Sequence, residues 1–161
     1  MIVDLGCGGA KRGEVGIDLY PYPGVDIICH LGFEEIPLEV DSVDKVMAYD
    51  FLEHVPAVVH YREGRKWRVR YPRIALLKEI HRILKPGGVF ESNTPSEVTR
   101  AWAQDPTHTA PPWTDETWNY YLGGYGCGVP NHSYGLDYHF EKVLIEQRGA
   151  YLFVQVRKPL K

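Results

Sequence analysis

The sequence predicts an α/β fold, a mostly parallel sheet finished by an antiparallel C-terminal hairpin. Three observations carry that prediction. Short β-branched runs recur through the first half of the chain, one amphipathic helical repeat sits between the fourth and fifth of them, and two alternating apolar segments flank an Arg-Gly turn near the end.

Residues 2–5 read as a short buried strand and residues 15–19 as a second. The turn between them, 6–13, is unusually tight, and the stretch 3–19 holds five of the sixteen glycines. "VDIIC" at 25–29 supplies a third strand, and "KVMAY" at 45–49, preceded by the turn-like "EVDSVD", a fourth. Ile74, Leu77, Ile80, Ile83 and Leu84 recur at helical spacing, "KPGG" at 85–88 supplies the stop, and 89–91 enter a fifth strand. "FEKVLIEQ" and "AYLFVQV" around Arg148-Gly149 form the closing hairpin.

The whole chain, 1–161, reads as a single domain with two insertions. Residues 56–73 carry Arg62, Arg65, Lys66, Arg68, Arg70 and Arg73 against the single acid Glu63. Residues 93–135 hold Trp102, Trp113 and Trp118 with several tyrosines among many Gly and Pro, which reads as a lid over a substrate. With 44% apolar and 24% charged residues the chain is composed to fold, and a net charge of −3 gives no overall attraction to nucleic acid or anionic membrane. No apolar run is long enough to span a bilayer and no signal peptide is evident. Cys7, Cys29 and Cys127 are odd in number and widely spread, which suits a reducing compartment, so a cytoplasmic protein is expected.

The glycine-rich turn restricts the ligand. A dinucleotide fingerprint needs a third glycine opening a helix and an acid about 20 residues on. Here Lys11 stands at the third glycine's place and Asp18 follows Gly6 by only twelve residues. At most one helical turn fits, so a pyrophosphate would lack its helix N-terminus, and an NAD-dependent oxidoreductase is disfavoured. The spacing suits a ligand whose sugar is held by Asp18 and which has no phosphate at the turn; S-adenosylmethionine is such a ligand.

At this point "VDLGCGG" (3–9), "GIDL" (16–19), "SVDKVMAYDFLEHV" (42–55) and "LLKEIHRILKPGG" (76–88) can be taken together. In this order they resemble the class I S-adenosylmethionine-dependent methyltransferases, specifically the small type 11 branch and its phage and bacterial members. With the hairpin, the resemblance covers about two-thirds of the chain. It implies a Rossmann-like sheet, here truncated at the N-terminus, with S-adenosylmethionine as cofactor. It also implies that Asp4, Gly6, Cys7 and Gly8 lie against the methionine part, Asp18 accepts the ribose hydroxyls and Leu19 touches the adenine. An Asp usual after the third strand is replaced by His30, followed by Leu31. Tyr49 and Asp50, with Glu53 and His54, would border the reaction centre.

Methyl transfer from a sulfonium is a one-step displacement that needs alignment and exclusion of water, with a base where the acceptor carries a proton. His108 in "QDPTHTAPPWTDETW", oriented by Asp105, is the first candidate base and His54 the second. The D-P-T-H segment looks like one found in some phage and bacterial members of the branch. Cys127, His132 and His139 match no common zinc spacing, and no metal is expected. The expected activity is methyl transfer to an O or N of an unidentified acceptor, a small molecule being favoured. The basic insertion, 62–73, offers phosphates of a nucleic acid a contact. The alternative is a non-catalytic S-adenosylmethionine-fold binding module acting with a partner protein or nucleic acid. A chain that starts at the first strand would leave the cofactor without its usual N-terminal cover, which suggests a homodimer.

Overall fold

The computed structural model describes residues 1–122 and 134–160. Its strands are β1 (Ile2–Leu5), β2 (Val15–Asp18), β3 (Ile27–Ile28), β4 (Val43–Tyr49), β5 (Val59–Glu63), β6 (Lys66–Arg70), β7 (Leu84–Pro95), β8 (Glu141–Arg148) and β9 (Tyr151–Arg157). Seven form one sheet in the order β3-β2-β1-β4-β7-β9-β8. Its first five strands run parallel, and β9 is antiparallel to both neighbours. Since β2 lies on one side of β1 and β4 on the other, the strand order reverses there, and a crevice opens beyond the C-terminal strand ends.

The helices are α1 (Pro72–Ile83), which the apolar spacing predicts, and the five-residue α2 (Asp115–Asn119). Single 3-10 turns occupy Leu52–His54 and Ala101–Ala103. No helix follows β1, β2 or β3. The Gly6 amide donates to the Ile17 carbonyl at 2.8 Å and the Glu14 amide to the Ile2 carbonyl at 2.8 Å, so the chain passes from β1 to β2 almost directly.

Two strand lengths differ from those the sequence suggests. β3 keeps only two residues, because the Asp26 carboxylate turns to the Gly16 amide (2.7 Å) and the Lys11 ammonium (2.9 Å) instead of continuing a strand. β7 reaches back to Leu84, because a bulge between the pairs Val43–Leu84 and Lys45–Val89 absorbs the Pro-Gly-Gly run that reads as a stop.

One sheet face buries Val3, Leu5, Ile17, Val46, Ala48, Phe90, Val154 and Val156 under Leu76, Leu77, Ile80 and Ile83 of α1. Each such side chain contributes about 1.5–3 kcal/mol by burial. α1 is too short to cover the whole face, and the rest is filled from the aromatic insertion. Trp113 and Trp118 are 2% and 0% exposed, with ring centroids 5.1 Å apart, and the Phe90 ring lies tilted at 6.1 Å from Trp118. These two tryptophans, with Tyr121, are therefore core, where the sequence reading made them part of a lid; sheet area left open by a single helix is best covered by large rigid rings.

The opposite face carries a polar network across neighbouring strands. Glu91 accepts from the Tyr49 hydroxyl, from Lys45 at 3.2 Å and from Gln155 at 3.1 Å, while Arg12 lies 5.2 Å over the Tyr49 ring. The basic insertion is a two-stranded hairpin, β5 paired with β6 around Gly64. Its charge run divides: Arg68 pairs with Glu63, Arg70 reaches the Phe33 carbonyl, and Arg73 is buried at the start of α1.

Candidate active site

Four strand ends build the first cavity. Gly6 follows β1, Asp18 ends β2, Cys29 to Leu31 follow β3, and Asp50 and Phe51 follow β4. With Leu19, Tyr20, Tyr22 and Phe33 they enclose about 550 Å³, within the usual range for small-molecule sites. His30 stacks on Phe33 at 4.2 Å, giving a flat wall. The Asp18 carboxylate accepts from the Gly8 amide (2.9 Å) and the Tyr20 amide (3.1 Å), so it is held in place with lone pairs to spare. Gly6, at φ +63°, has the Phe51 ring against it: a Cβ there would lie 2.2 Å from Phe51 Cδ2.

The remaining predicted cofactor residues divide. Gly6, Asp18, Leu19, His30, Leu31 and Asp50 line this cavity; Asp4, Cys7, Gly8 and Tyr49 do not. Asp4 is buried below the glycine turn, where Oδ2 accepts from the Arg12 amide at 2.7 Å and Oδ1 has no partner, and burial raises its pKa. Tyr49 turns to Glu91 on the polar sheet face because side chains alternate along β4, which sends Tyr49 away from the crevice that Asp50 borders.

A second cavity of about 600 Å³ is lined by Asp50, Glu53, His54, Pro95, Gln104, Asp105, Pro106 and His108, among others. It shares Asp50 and His54 with the first. Asp105 does not orient His108 by a hydrogen bond, as the sequence reading had it. Its Oδ1 instead accepts from the Thr107 amide (2.7 Å) and the Thr107 hydroxyl (2.6 Å), an Asx turn that keeps the carboxyl below its usual pKa. Thr107 Oγ1 in turn lies 3.0 Å from His54 Nδ1. The hydroxyl proton is committed to an acceptor-only carboxylate, so His54 Nδ1 must carry the hydrogen of that second contact. His108 Nδ1 sits 2.7 Å from the Trp102 carbonyl, which only accepts, so it too is protonated. Both rings keep Nε2 free, and their centroids are 4.9 Å apart.

Beneath them Glu53 is 4% exposed, and its Oε2 is buried without a partner. Burial is the chief cause that pushes its pKa up to about 7. Arg73, which the sequence reading placed in the basic insertion, holds this floor together. It donates to the carbonyls of Val55 (2.8 Å), Pro111 (2.7 Å) and Thr109 (3.0 Å) and to the Thr109 hydroxyl (3.0 Å), and it lies 4.8 Å over the Trp113 ring. The role of Thr107 was legible as an Asp-Pro-Thr turn; that of Arg73 had no local signal. Cys127 and His132 lie outside the described residues.

The family model for the methyltransferase domain, type 11, matches residues 14–91, just under half of the chain. An S-adenosylmethionine-dependent methyltransferase of Mycolicibacterium smegmatis is 33% identical over 92 residues, 55% of this chain. The match spans 30% of that relative's length. Over these residues the chain is similar to type 11 methyltransferase domains.

Solved structures share the fold of this chain. A chain of the Haloferax volcanii complex between the Trm112 methyltransferase activator and a methyltransferase superposes with a TM-score of 0.61 at 14% identity, covering 98% of this chain and 81% of that one. A Mesorhizobium loti S-adenosylmethionine-dependent methyltransferase gives 0.53 at 19% identity, with 98% and 90% coverage. Among the described residues no helix is long and apolar enough to cross a membrane.

Proposed function

We propose that this chain binds S-adenosylmethionine in the first cavity and transfers its methyl group to an O or N of an acceptor held in the second. The observation that carries this reading is the pair of adjoining cavities with Asp50 and His54 on their shared border. The cofactor's fit rests on the fixed Asp18 carboxylate and the His30–Phe33 wall. When bound, S-adenosylmethionine would supply an activated methyl carbon.

The chain's own residues then have three tasks. Asp18 would hold the ribose hydroxyls with charge-assisted bonds. Asp50, whose amide is pinned to Asn93 Oδ1 at 2.8 Å, would fix the border between donor and acceptor. His108 Nε2, or His54 Nε2, would take the acceptor's proton, and Asp105 acts through Thr107 on His54. The unidentified acceptor is a small molecule in this reading, because the second cavity, at about 600 Å³, has the size of a small-molecule site.

Isothermal titration with S-adenosylmethionine and its demethylated product is the test. Wild type should bind both, and Asp18→Asn, which keeps the shape but loses the charge, should bind about tenfold more weakly. No binding by wild type at high micromolar concentration refutes the reading. A second reading, a binding module acting with a phosphate-bearing partner, draws on the exposed Arg62, Arg65, Lys66 and Trp67 of the hairpin. It requires salt-sensitive retention of an oligonucleotide that is lost when those three cations are replaced.

A further inference from the structure

We propose that Glu53, His54 and His108 form a site for one divalent cation of the zinc or iron class at the floor of the acceptor cavity. One ligand atom from each residue lies within 4.8 Å of the other two. Two imidazole nitrogens and one carboxylate are the donor set that suits borderline divalent metals and leaves coordination positions open.

The geometry around the group is that of ligands already oriented. Metal-binding imidazoles present one nitrogen and donate the other N–H to a carbonyl or carboxylate, which fixes the tautomer. His108 does so, its Nδ1–H held by the Trp102 carbonyl at 2.7 Å, and His54 Nδ1–H is held at 3.0 Å by the Thr107 hydroxyl, which relays it to the Asp105 carboxylate. Each ring is left with an Nε2 lone pair.

The carboxylate supplies the independent observation. Glu53 lines the cavity and is 4% exposed, yet its buried Oε2 has no hydrogen-bond donor among the described residues, which leaves a polar atom without compensation beside the cavity. Arg73 is nearby but spends its donors on the carbonyls of Val55, Thr109 and Pro111 and on the Thr109 hydroxyl. Asp50, Glu53 and Asp105 line the cavity and, among the described residues, no Lys or Arg does, so its field favours a cation. Bonds of about 2.0–2.2 Å put coordinated atoms about 3–4 Å apart, so the three side chains close by about 1 Å, which the exposed His54 can provide by a small rotation.

The cation's role rests on the methyl-transfer reading; its binding does not. An acceptor hydroxyl on an open position would lose its proton to solvent at neutral pH. Its oxygen lone pair would then form the new O–C bond as the C–S bond breaks, with that electron pair remaining on sulfur. Thus the cation would take over the activation that Nε2 would otherwise perform.

The test is titration of the metal-stripped chain with Co²⁺ in the absence of S-adenosylmethionine, read by visible d–d absorption and calorimetry. Wild type should take up one equivalent at micromolar concentration. His108→Ala, His54→Ala and Glu53→Gln should each weaken uptake at least tenfold, with thermal melts of the metal-free variants confirming that they fold. Thr107→Val, which removes the hydroxyl that links His54 to Asp105 and leaves the three ligands in place, should cost about 10–100-fold. Absence of uptake by wild type overturns the proposal, as does uptake undiminished in folded His108→Ala and Glu53→Gln. A chain that binds Co²⁺ but neither S-adenosylmethionine nor its product keeps the cation site and loses the methyl-transfer reading; the opposite result does the reverse.

Discussion

Replacing Arg73 should loosen the floor of the site more than any exposed charge in the same run. The side chain makes four hydrogen bonds from one buried guanidinium to three carbonyls and a hydroxyl on two separate segments. Bonds to a charged group are worth about 1.5–3 kcal/mol each, so the gross loss on removal approaches about 6–12 kcal/mol. Against this stands the burial of the cation, which lowers the Arg73 pKa from 12.5 to about 10 and so costs about 3 kcal/mol. Non-additivity and relaxation reduce the remainder, and a net loss of about 3–5 kcal/mol is expected for Arg73→Met, the usual scale for breaking a buried charge network. Arg73→Lys keeps the charge but cannot reach both segments at once, and should lose about 2–3 kcal/mol. Urea denaturation followed by circular dichroism gives both numbers. Arg68→Met, at an exposed pair with Glu63, should change stability by under about 1 kcal/mol. If Arg73→Lys falls within about 1 kcal/mol of wild type, the fork is not what joins Val55 to the 109–111 segment, and the account of the site's floor fails.

Two other perturbations follow from buried groups. His81, packed beside Tyr138 and Phe140, has its pKa lowered to about 4, chiefly by burial. The unfolded imidazole titrates near 6.5, so the stability it contributes is complete above about pH 6.5 and is lost as pH falls towards 4, by up to about 3 kcal/mol. Denaturation midpoints measured between those values should flatten in His81→Phe, and an unchanged slope would contradict the assignment. Gly6→Ala should cost about 2 kcal/mol or more, because φ is +63° and the new Cβ would stand 2.2 Å from Phe51 Cδ2. Thermal melting reads the loss, and a melting temperature equal to wild type would mean that Phe51 moves freely.

The sequence by itself determined the elements whose cause is local. Short β-branched runs placed β1, β2 and β4, alternation placed the β8–β9 hairpin, and the 3.6-residue apolar repeat placed α1, because all three are properties of neighbouring residues. The short passage from Gly6 to Asp18 excluded a helix there, and the chain indeed crosses it by direct hydrogen bonds. It also brought Asp18, Leu19, His30, Leu31 and Asp50 to the strand ends that line one cavity.

Only the tertiary structure decided the rest. Whether the aromatic insertion covers a substrate or the sheet depends on how much of the sheet α1 leaves bare, and Trp113 and Trp118 went to the core. Arg73 reads as one cation among six until the chain folds it beneath carbonyls far along the sequence. Glu53 and His54 stand more than fifty residues before Thr107 and His108, so no spacing rule could join them. Hydrogen-bond direction in the folded site, fixed by an acceptor-only carboxylate and a carbonyl, is what sets the tautomers of the two histidines.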